Sequence, residues 1–190
     1  MAKKYRHGFK KESDEYARDY RVELRLEPYD PLSPWRLAEH LEIPVVTLSA
    51  FEEKHAESVY HLMHTDQKCF SAATVFYGTK RLIVVNNSHS PERQAANMSH
   101  ELAHTILGHE PLEPFDESGC RNFPKVLEDE ANWLGPALLV SKEAAWRIAS
   151  KGIDKRAAAA HYGCSVEVMQ MRLNMTGAMK LLQRSRKKYS

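Results

Sequence analysis

The chain has only three cysteines among its 190 residues, Cys69, Cys120 and Cys164, and no two of them lie close together in the sequence. An odd and scattered set argues against a disulfide framework and against a zinc site built from cysteines. Such cysteine usage is typical of a protein kept in a reducing compartment, so we expect a cytoplasmic location.

Long apolar stretches are also missing. No run approaches the roughly 20 residues that a membrane-spanning helix needs, and no apolar segment follows the basic N-terminus as a signal peptide would require. We therefore expect no membrane partner. The composition, 43% hydrophobic and 27% charged, is typical of a globular domain.

The net charge of +2 is distributed unevenly. Residues 1–11 carry five Lys or Arg and residues 181–190 carry four, neither segment contains an acid, and the part between them is net acidic. Basic ends can contact nucleic acid or an acidic partner, but solvated chain ends explain the same pattern. The sequence therefore predicts weak nucleic-acid binding at most.

Hydrophobic periodicity and turn residues predict an α+β fold with a small sheet. Ser33 before Pro34 and Ser90 before Pro91 are typical of helix starts. The predicted helices cover residues 12–27, 35–41, 49–68, 91–108, 126–139, 142–150 and the tail from 154, broken at 163–165. The predicted strands cover 45–48, 73–77 and 81–86, the last two forming a hairpin, and a long loop covers 110–124.

The central helix carries the pattern His-Glu-x-x-His at His100, Glu101 and His104. Residues four apart lie on one face of a helix, so the two imidazoles can bind one zinc ion, with Glu101 beside a water molecule as catalytic base. The five-residue pattern alone also arises by chance on solvated helices. A third ligand is therefore required.

Three residues are candidates for that ligand. Glu110 follows His104 by six residues, but Leu107 stands where such a site needs a glycine to turn the chain back. His109 is better explained as a cap on the helix end. Glu128 lies on a predicted helix with Asn132 on the same face, so Glu128 can bind zinc while Asn132 holds a zinc-binding histidine by a hydrogen bond.

Taken together, these segments resemble the ImmA/IrrE family of zinc metallo-endopeptidases. Besides the central helix, the similarity covers residues 31–41, the hairpin after residue 70, Glu128 to Asn132 and the apolar run at 137–140. The chain departs from the family pattern at Ser141, usually Pro, and at Leu134-Gly135, often Phe-Ala. The resemblance implies a zincin-like core, zinc as cofactor, His100, His104 and Glu128 as ligands and Glu101 as base.

The family's characterised members cleave a repressor that contains a helix-turn-helix domain and so switch on phage, mobile-element or stress genes. The resemblance therefore implies a protein substrate of that kind. The edge of the hairpin can align an extended peptide by strand addition. Five side chains are candidates for stabilising the oxyanion or binding substrate: Tyr77, Arg93, His109, His161 and Tyr162.

The C-terminal residues 151–190 loosely fit a helix-turn-helix extension of a metallopeptidase domain at 1–150, packed on the same domain. Arg172, however, stands where that motif needs an apolar residue, and its helix offers little positive charge for phosphate contacts. The alternative function is a metal-stabilised regulatory module that binds DNA or protein without proteolytic turnover. Another His-Glu-x-x-His hydrolase with Cys69 as ligand, such as a deformylase, fits less well, because the residues around Cys69 do not resemble that family.

Overall fold

The computed structural model describes residues 5–77, 80–109 and 124–180, and the side chain of Tyr77 lies outside the description. The described chain forms eight α-helices and three strands. The elements are α1 (Phe9–Glu23), α2 (Pro34–His40), β1 (Val45–Thr47), α3 (Glu52–Tyr60), β2 (Ala72–Tyr77), β3 (Lys80–Val85), α4 (Pro91–Ile106), α5 (Lys125–Leu139), α6 (Lys142–Lys151), α7 (Lys155–His161) and α8 (Val166–Thr176).

The predicted α+β class is confirmed, whereas the zincin-like core and the division at residue 151 stay predictions. Two predicted helices differ in their bounds. The first begins at Phe9, whose ring is buried, and ends early because Arg25 takes a positive φ of 57° and turns the chain. The helix predicted over 49–68 is divided into a 3₁₀ turn at Leu48–Phe51, α3, and a π-helical turn at His61–Thr65.

The three described strands form a sheet in the order β1–β3–β2, so the hairpin strand β2 lies at an edge of these three. β1 runs parallel to β3 with Val45 opposite Ile83, and β2 runs antiparallel to β3 with Thr74 opposite Ile83. The predicted hairpin is thus confirmed, while its turn at 78–79 and the predicted loop at 110–123 lie outside the described residues.

The central helix α4 begins and ends as its sequence predicts. The Ser90 hydroxyl accepts a hydrogen bond from the N–H of Arg93, and Pro91 takes the first helical position. At the other end Gly108 adopts a left-handed φ of 66°, and the N–H of His109 donates to the carbonyl of His104 at 2.9 Å. This glycine closure turns the chain back over the last turn of the helix.

Two clusters of buried hydrophobic side chains pack the helices against one another and against the sheet. The larger one joins α1, α2, β3, α4 and α5, and its fully buried members include Leu37, Ile83, Met98 and Leu138. The second joins the end of α5 to α6, α7 and α8. Each Å² of buried apolar surface stabilises the fold by about 25 cal/mol. The buried side chains therefore hold α5 against α4. Among the described helices, none combines the length and the apolar character needed to cross a membrane.

Candidate metal centre

The side chains of His100, His104 and Glu128 converge on one point between α4 and α5. The two Nε2 atoms lie 3.0 Å apart, and the Glu128 oxygens lie 3.4 Å from Nε2 of His100 and 3.2 Å from Nε2 of His104. The three ligand atoms all fall within 4.8 Å of one another. Each of these atoms has a lone pair to offer, so the arrangement can hold a cation.

These distances fit a zinc ion. Zinc binds imidazole nitrogen and carboxylate oxygen at about 2.0–2.2 Å, so two ligands of a tetrahedral site lie about 3.3 Å apart. The side chain of His104 is 4% exposed, whereas those of His100 and Glu128 are 27% and 37% exposed. The site is therefore closed behind His104 and open on its other side, as a catalytic zinc site with one free position requires.

The electrostatics of the group favour an anionic Glu128. Hydrogen bonds from His100 and then His104 hold the pKa of the Glu128 carboxyl well below its usual range. Burial tends to lower the pKa of His100, but the Glu128 hydrogen bond and the charges of Glu101 and Glu128 outweigh it, so that pKa is raised. A carboxylate that stays charged across the neutral range is a ready ligand for a divalent cation.

Close packing of α5 against α4 brings Glu128 within reach. Ala131 is completely buried at the contact, and a Cβ at Gly135 would lie 3.2 Å from backbone atoms of His100 and Ser99. A side chain of any size at Gly135 would press on the helix that carries the histidines. The departure of Leu134-Gly135 from the family's usual Phe-Ala pair thus lies directly behind the site.

Asn132 lies close enough to His100 to help raise the pKa of that ring, in keeping with the helical spacing of Asn132 and Glu128. Such a neighbour can fix the orientation of that ring. Sequence reasoning missed two further contacts. Thr74 on β2 donates both its N–H and its hydroxyl to Oε2 of Glu101, at 2.8 and 2.6 Å. His109 contacts His104 from the side away from Glu128, at 3.0 Å between the two Nδ1 atoms.

Of the five oxyanion candidates, Arg93, His161 and Tyr162 make their contacts away from the three metal-centre side chains. Arg93 lies two turns before His100 on α4 and donates to the Ser71 hydroxyl. The Tyr162 hydroxyl donates to the carbonyl of Tyr29 at 2.6 Å, and the ring of His161 packs against that of Tyr162. His109 lies behind His104, and the side chain of Tyr77, like Glu110, falls outside the described residues. An oxyanion role for Tyr162 would require breaking its hydrogen bond.

The sequence of residues 38–174 matches the peptidase M78 family, described as the IrrE N-terminal-like domain. The match covers more than half of the chain. The chain belongs to this family. Membership in the M78 family indicates a metallopeptidase. The side chains of His100, His104 and Glu128 form a group that could bind its metal ion. Comparison with curated proteins and with solved structures gave no match.

Proposed function

We propose that this protein is a zinc-dependent endopeptidase, with His100, His104 and Glu128 as metal ligands and Glu101 as catalytic base. The convergence of three ligand atoms from α4 and α5, next to a carboxylate held by the edge strand, carries the proposal. Bound zinc would lower the pKa of a water molecule to near 7 and polarise the carbonyl of the scissile bond.

Glu101 moves the proton in this proposal. Thr74 occupies Oε2 with two hydrogen bonds, so we assign to Oε1 the proton that leaves the attacking water. The same carboxyl then delivers this proton to the nitrogen of the departing amine. Positioned proton transfer of this kind contributes about 10²–10⁴-fold to the rate.

The edge strand β2 offers a place for an extended peptide to align by strand addition. At Thr74 the strand's N–H is bonded to Glu101, so a peptide paired at this position would compete with the base. Productive pairing would use Ala72 and Phe76, which turn their backbone groups to the same edge as Thr74, and would leave the hold on Glu101 intact.

The resemblance to ImmA/IrrE proteins leads us to propose a repressor with a helix-turn-helix domain as substrate, and control of phage, mobile-element or stress genes as the role. The alternative is a metal-stabilised regulatory module that binds DNA or protein without turnover, and its DNA-binding form has less support. Arg172 is the only Lys or Arg of α8, and it is completely buried. A recognition helix without an exposed basic residue lacks the phosphate contacts that dominate DNA affinity.

The test is to incubate the zinc-loaded protein with a purified repressor encoded by a neighbouring gene and to identify fragments by mass spectrometry. Glu101→Gln should reduce the cleavage rate by about 10²–10⁴-fold and leave zinc binding unchanged. Glu92→Gln, on the same helix in its exposed first turn, is the matched control and should cleave at the wild-type rate.

A chelator should stop cleavage, and added zinc should restore it. Cleavage by Glu101→Gln at the wild-type rate would remove Glu101 from the mechanism. Intact repressor in every arm, together with DNA binding that weakens steeply with salt, would favour the regulatory module instead.

A further inference from the structure

A line of polar side chains lies behind His104 and leads away from the metal centre. Nδ1 of His104 lies 3.0 Å from Nδ1 of His109, Nε2 of His109 lies 3.3 Å from Oε2 of Glu130, and Oε1 of Glu130 lies 3.3 Å from Nε of Arg6. We call His109, Glu130 and Arg6 the supporting chain. The proposed function as it stands uses none of these three residues.

We propose that the supporting chain holds His104 in the tautomer whose Nε2 carries no proton and can therefore bind the metal ion. The inference rests on the proposed metal site. His109 and Glu130 act here as positioning residues, because neither reaches the point on which the three ligand atoms converge.

Metal binding at Nε2 of His104 determines which residue donates in each hydrogen bond of the supporting chain. Nε2 of His104 faces His100 and Glu128, so it must carry no proton when it binds a cation. The proton then lies on Nδ1, which donates to Nδ1 of His109. His109 in turn carries its proton on Nε2 and donates to the Glu130 carboxylate, which is an acceptor only. Each hydrogen bond thus has one donor and one acceptor.

Local structure explains why His109 lies in this position. The left-handed Gly108 ends α4 and turns the chain back, so the ring of His109 packs edge-on against that of His104, with 5.0 Å between centroids. A residue at that position on a continued helix would point elsewhere. Glu130 lies two residues after Glu128 on α5, so the two side chains point to opposite faces of the helix. Glu130 therefore reaches His109 and not the metal centre.

Burial makes these contacts hard to replace. The side chains of His104 and His109 are each 4% exposed, and that of Glu130 is 6% exposed. Water can therefore not easily substitute for a lost partner, and a buried polar atom without a partner is costly. Partners of this kind behind a metal-binding histidine typically account for 10–100-fold in metal affinity.

Arg6 extends the support to a segment outside the family match at residues 38–174. Its remaining guanidinium nitrogens bind the Glu12 carboxylate, and the neighbouring Tyr5 packs edge-on against Trp133 of α5. Arg6 is half exposed, so its pairing with Glu130 contributes less than the buried bonds. The N-terminal segment nevertheless closes the far end of the supporting chain.

The first experiment measures zinc affinity by competition with a chelator of known affinity. His109→Phe keeps a packed ring and removes both hydrogen bonds, so it should weaken zinc binding by about 10–100-fold. His109→Gln can still accept from His104 and donate to Glu130, so it should recover part of that loss. His40→Gln is the matched control, because His40 also pairs with a glutamate, Glu23, at an exposed site on α2.

The second experiment needs no variant. Nitrogen-15 spectra of the histidine rings in the zinc-loaded wild type should show His104 bound through Nε2 and protonated at Nδ1. Zinc on Nδ1 of His104, or an unprotonated Nδ1, would overturn the inference. So would His109→Phe, folded by circular dichroism, with a zinc affinity within twofold of the wild type.

The two proposals fail in different ways. If the wild type binds zinc and His100→Ala abolishes binding, the metal site stands, and the His109 variants alone decide the supporting chain. If the wild type binds no zinc, or if His100→Ala binds it as tightly, the metal site and the supporting chain are both wrong.

Discussion

Two groups of polar side chains lie at opposite ends of α5, and they use their charges in opposite ways. The metal centre at the first turn of α5 is here called the front, and the group at its C-terminal end is called the rear. At the metal centre, acceptor atoms of His100, His104 and Glu128 face one another. At the rear, Arg21 donates to the carbonyls of Ala17 and Leu138, and Arg172 donates to that of Val140 at 2.9 Å. The rear group carries its own cations, whereas the three side chains of the metal centre offer atoms that can bind one.

The two arginines of the rear group join α1 and α8 to the end of α5. Burying their positive charges is unfavourable. Burial lowers the pKa of Arg21 and of Arg172 to about 10 each. Asp14 lies 3.8 Å from Arg172 and offsets part of this cost. Donors matched to main-chain acceptors indicate a structural role, while acceptors gathered around one point indicate a ligand. The comparison predicts that variants at the rear change stability and variants at the front change metal binding.

The largest expected effect is at the front. Glu128→Gln should reduce zinc affinity by more than about 100-fold, since it alters a ligand and not merely a partner of one. The free energy of unfolding of the metal-free protein should change by less than about 1 kcal/mol, because Glu128 is partly exposed. Metal analysis measures zinc binding, and urea denaturation measures the free energy of unfolding. Glu167→Gln, also in a helix's first turn, is the control, and full zinc occupancy in Glu128→Gln would place the third ligand elsewhere.

The matching change at the rear is Arg172→Ala. It leaves the buried Val140 carbonyl without its donor and opens a cavity in the core, while Asp14 keeps Lys142 as a partner, so it should destabilise the protein by about 3 kcal/mol. Zinc affinity measured below the melting temperature should not change. Arg172→Met fills the space without a charge and should be less destabilising.

Arg18→Ala is the exposed control for this comparison and should stay within about 0.5 kcal/mol of the wild type. A loss of zinc binding by folded Arg172→Ala would show that the two groups are coupled, contrary to the expectation.

Acidification should weaken zinc binding at the front. The raised pKa of His100 means that, below this pKa, a proton must leave the ring before the metal binds. Affinity should therefore fall by about tenfold per pH unit there, for one displaced proton. The lowered pKa of Glu128 keeps that carboxylate charged over the same range, so it adds no further slope. Calorimetric titrations between pH 5 and 8 test this, and a flat profile would contradict it.

Thr74→Val separates the positioning of the base from metal binding. The variant loses the hydroxyl contact to Glu101 but keeps the backbone N–H contact. A hydrogen bond to a charged group contributes about 1.5–3 kcal/mol, so kcat should fall by about tenfold or more with zinc affinity unchanged. Thr74→Ser should restore kcat. An unaltered kcat in Thr74→Val would show that the N–H alone positions the base.

The smallest effect is expected for Gly135→Ala. Alanine favours the helix by about 1 kcal/mol over glycine, but the added Cβ would press on the His100 backbone at 3.2 Å, and overpacking costs about 1–3 kcal/mol. The net change in stability should be small, while a shift of α4 by a few tenths of an ångström should weaken zinc binding a few-fold. The d–d absorption spectrum of the cobalt-substituted protein reports the shift, and identical spectra would exclude it.

Much of the local structure followed from the sequence, because its causes lie within a few residues. Ser90 and Pro91 mark the start of α4, and residues 73–77 and 81–86 predict the hairpin. The spacing of His100 and His104 places both imidazoles on one helical face. The bounds of α1 were missed, because the chain turns at Arg25 through a positive φ that no residue pattern announces.

The sequence by itself determined the pair of histidines one turn apart, the carboxylate between them and the helix that carries all three, since helical geometry alone relates residues so close together. Only the tertiary structure decided that Thr74 holds Glu101, that His109 and Glu130 stand behind His104, and that Arg172 points into the core. Apart from the contact between His109 and His104, which the turn at Gly108 sets up locally, these contacts join segments far apart in the chain. Their relative placement depends on how the buried surfaces of α1, β2, α5 and α8 pack together, which no local pattern specifies.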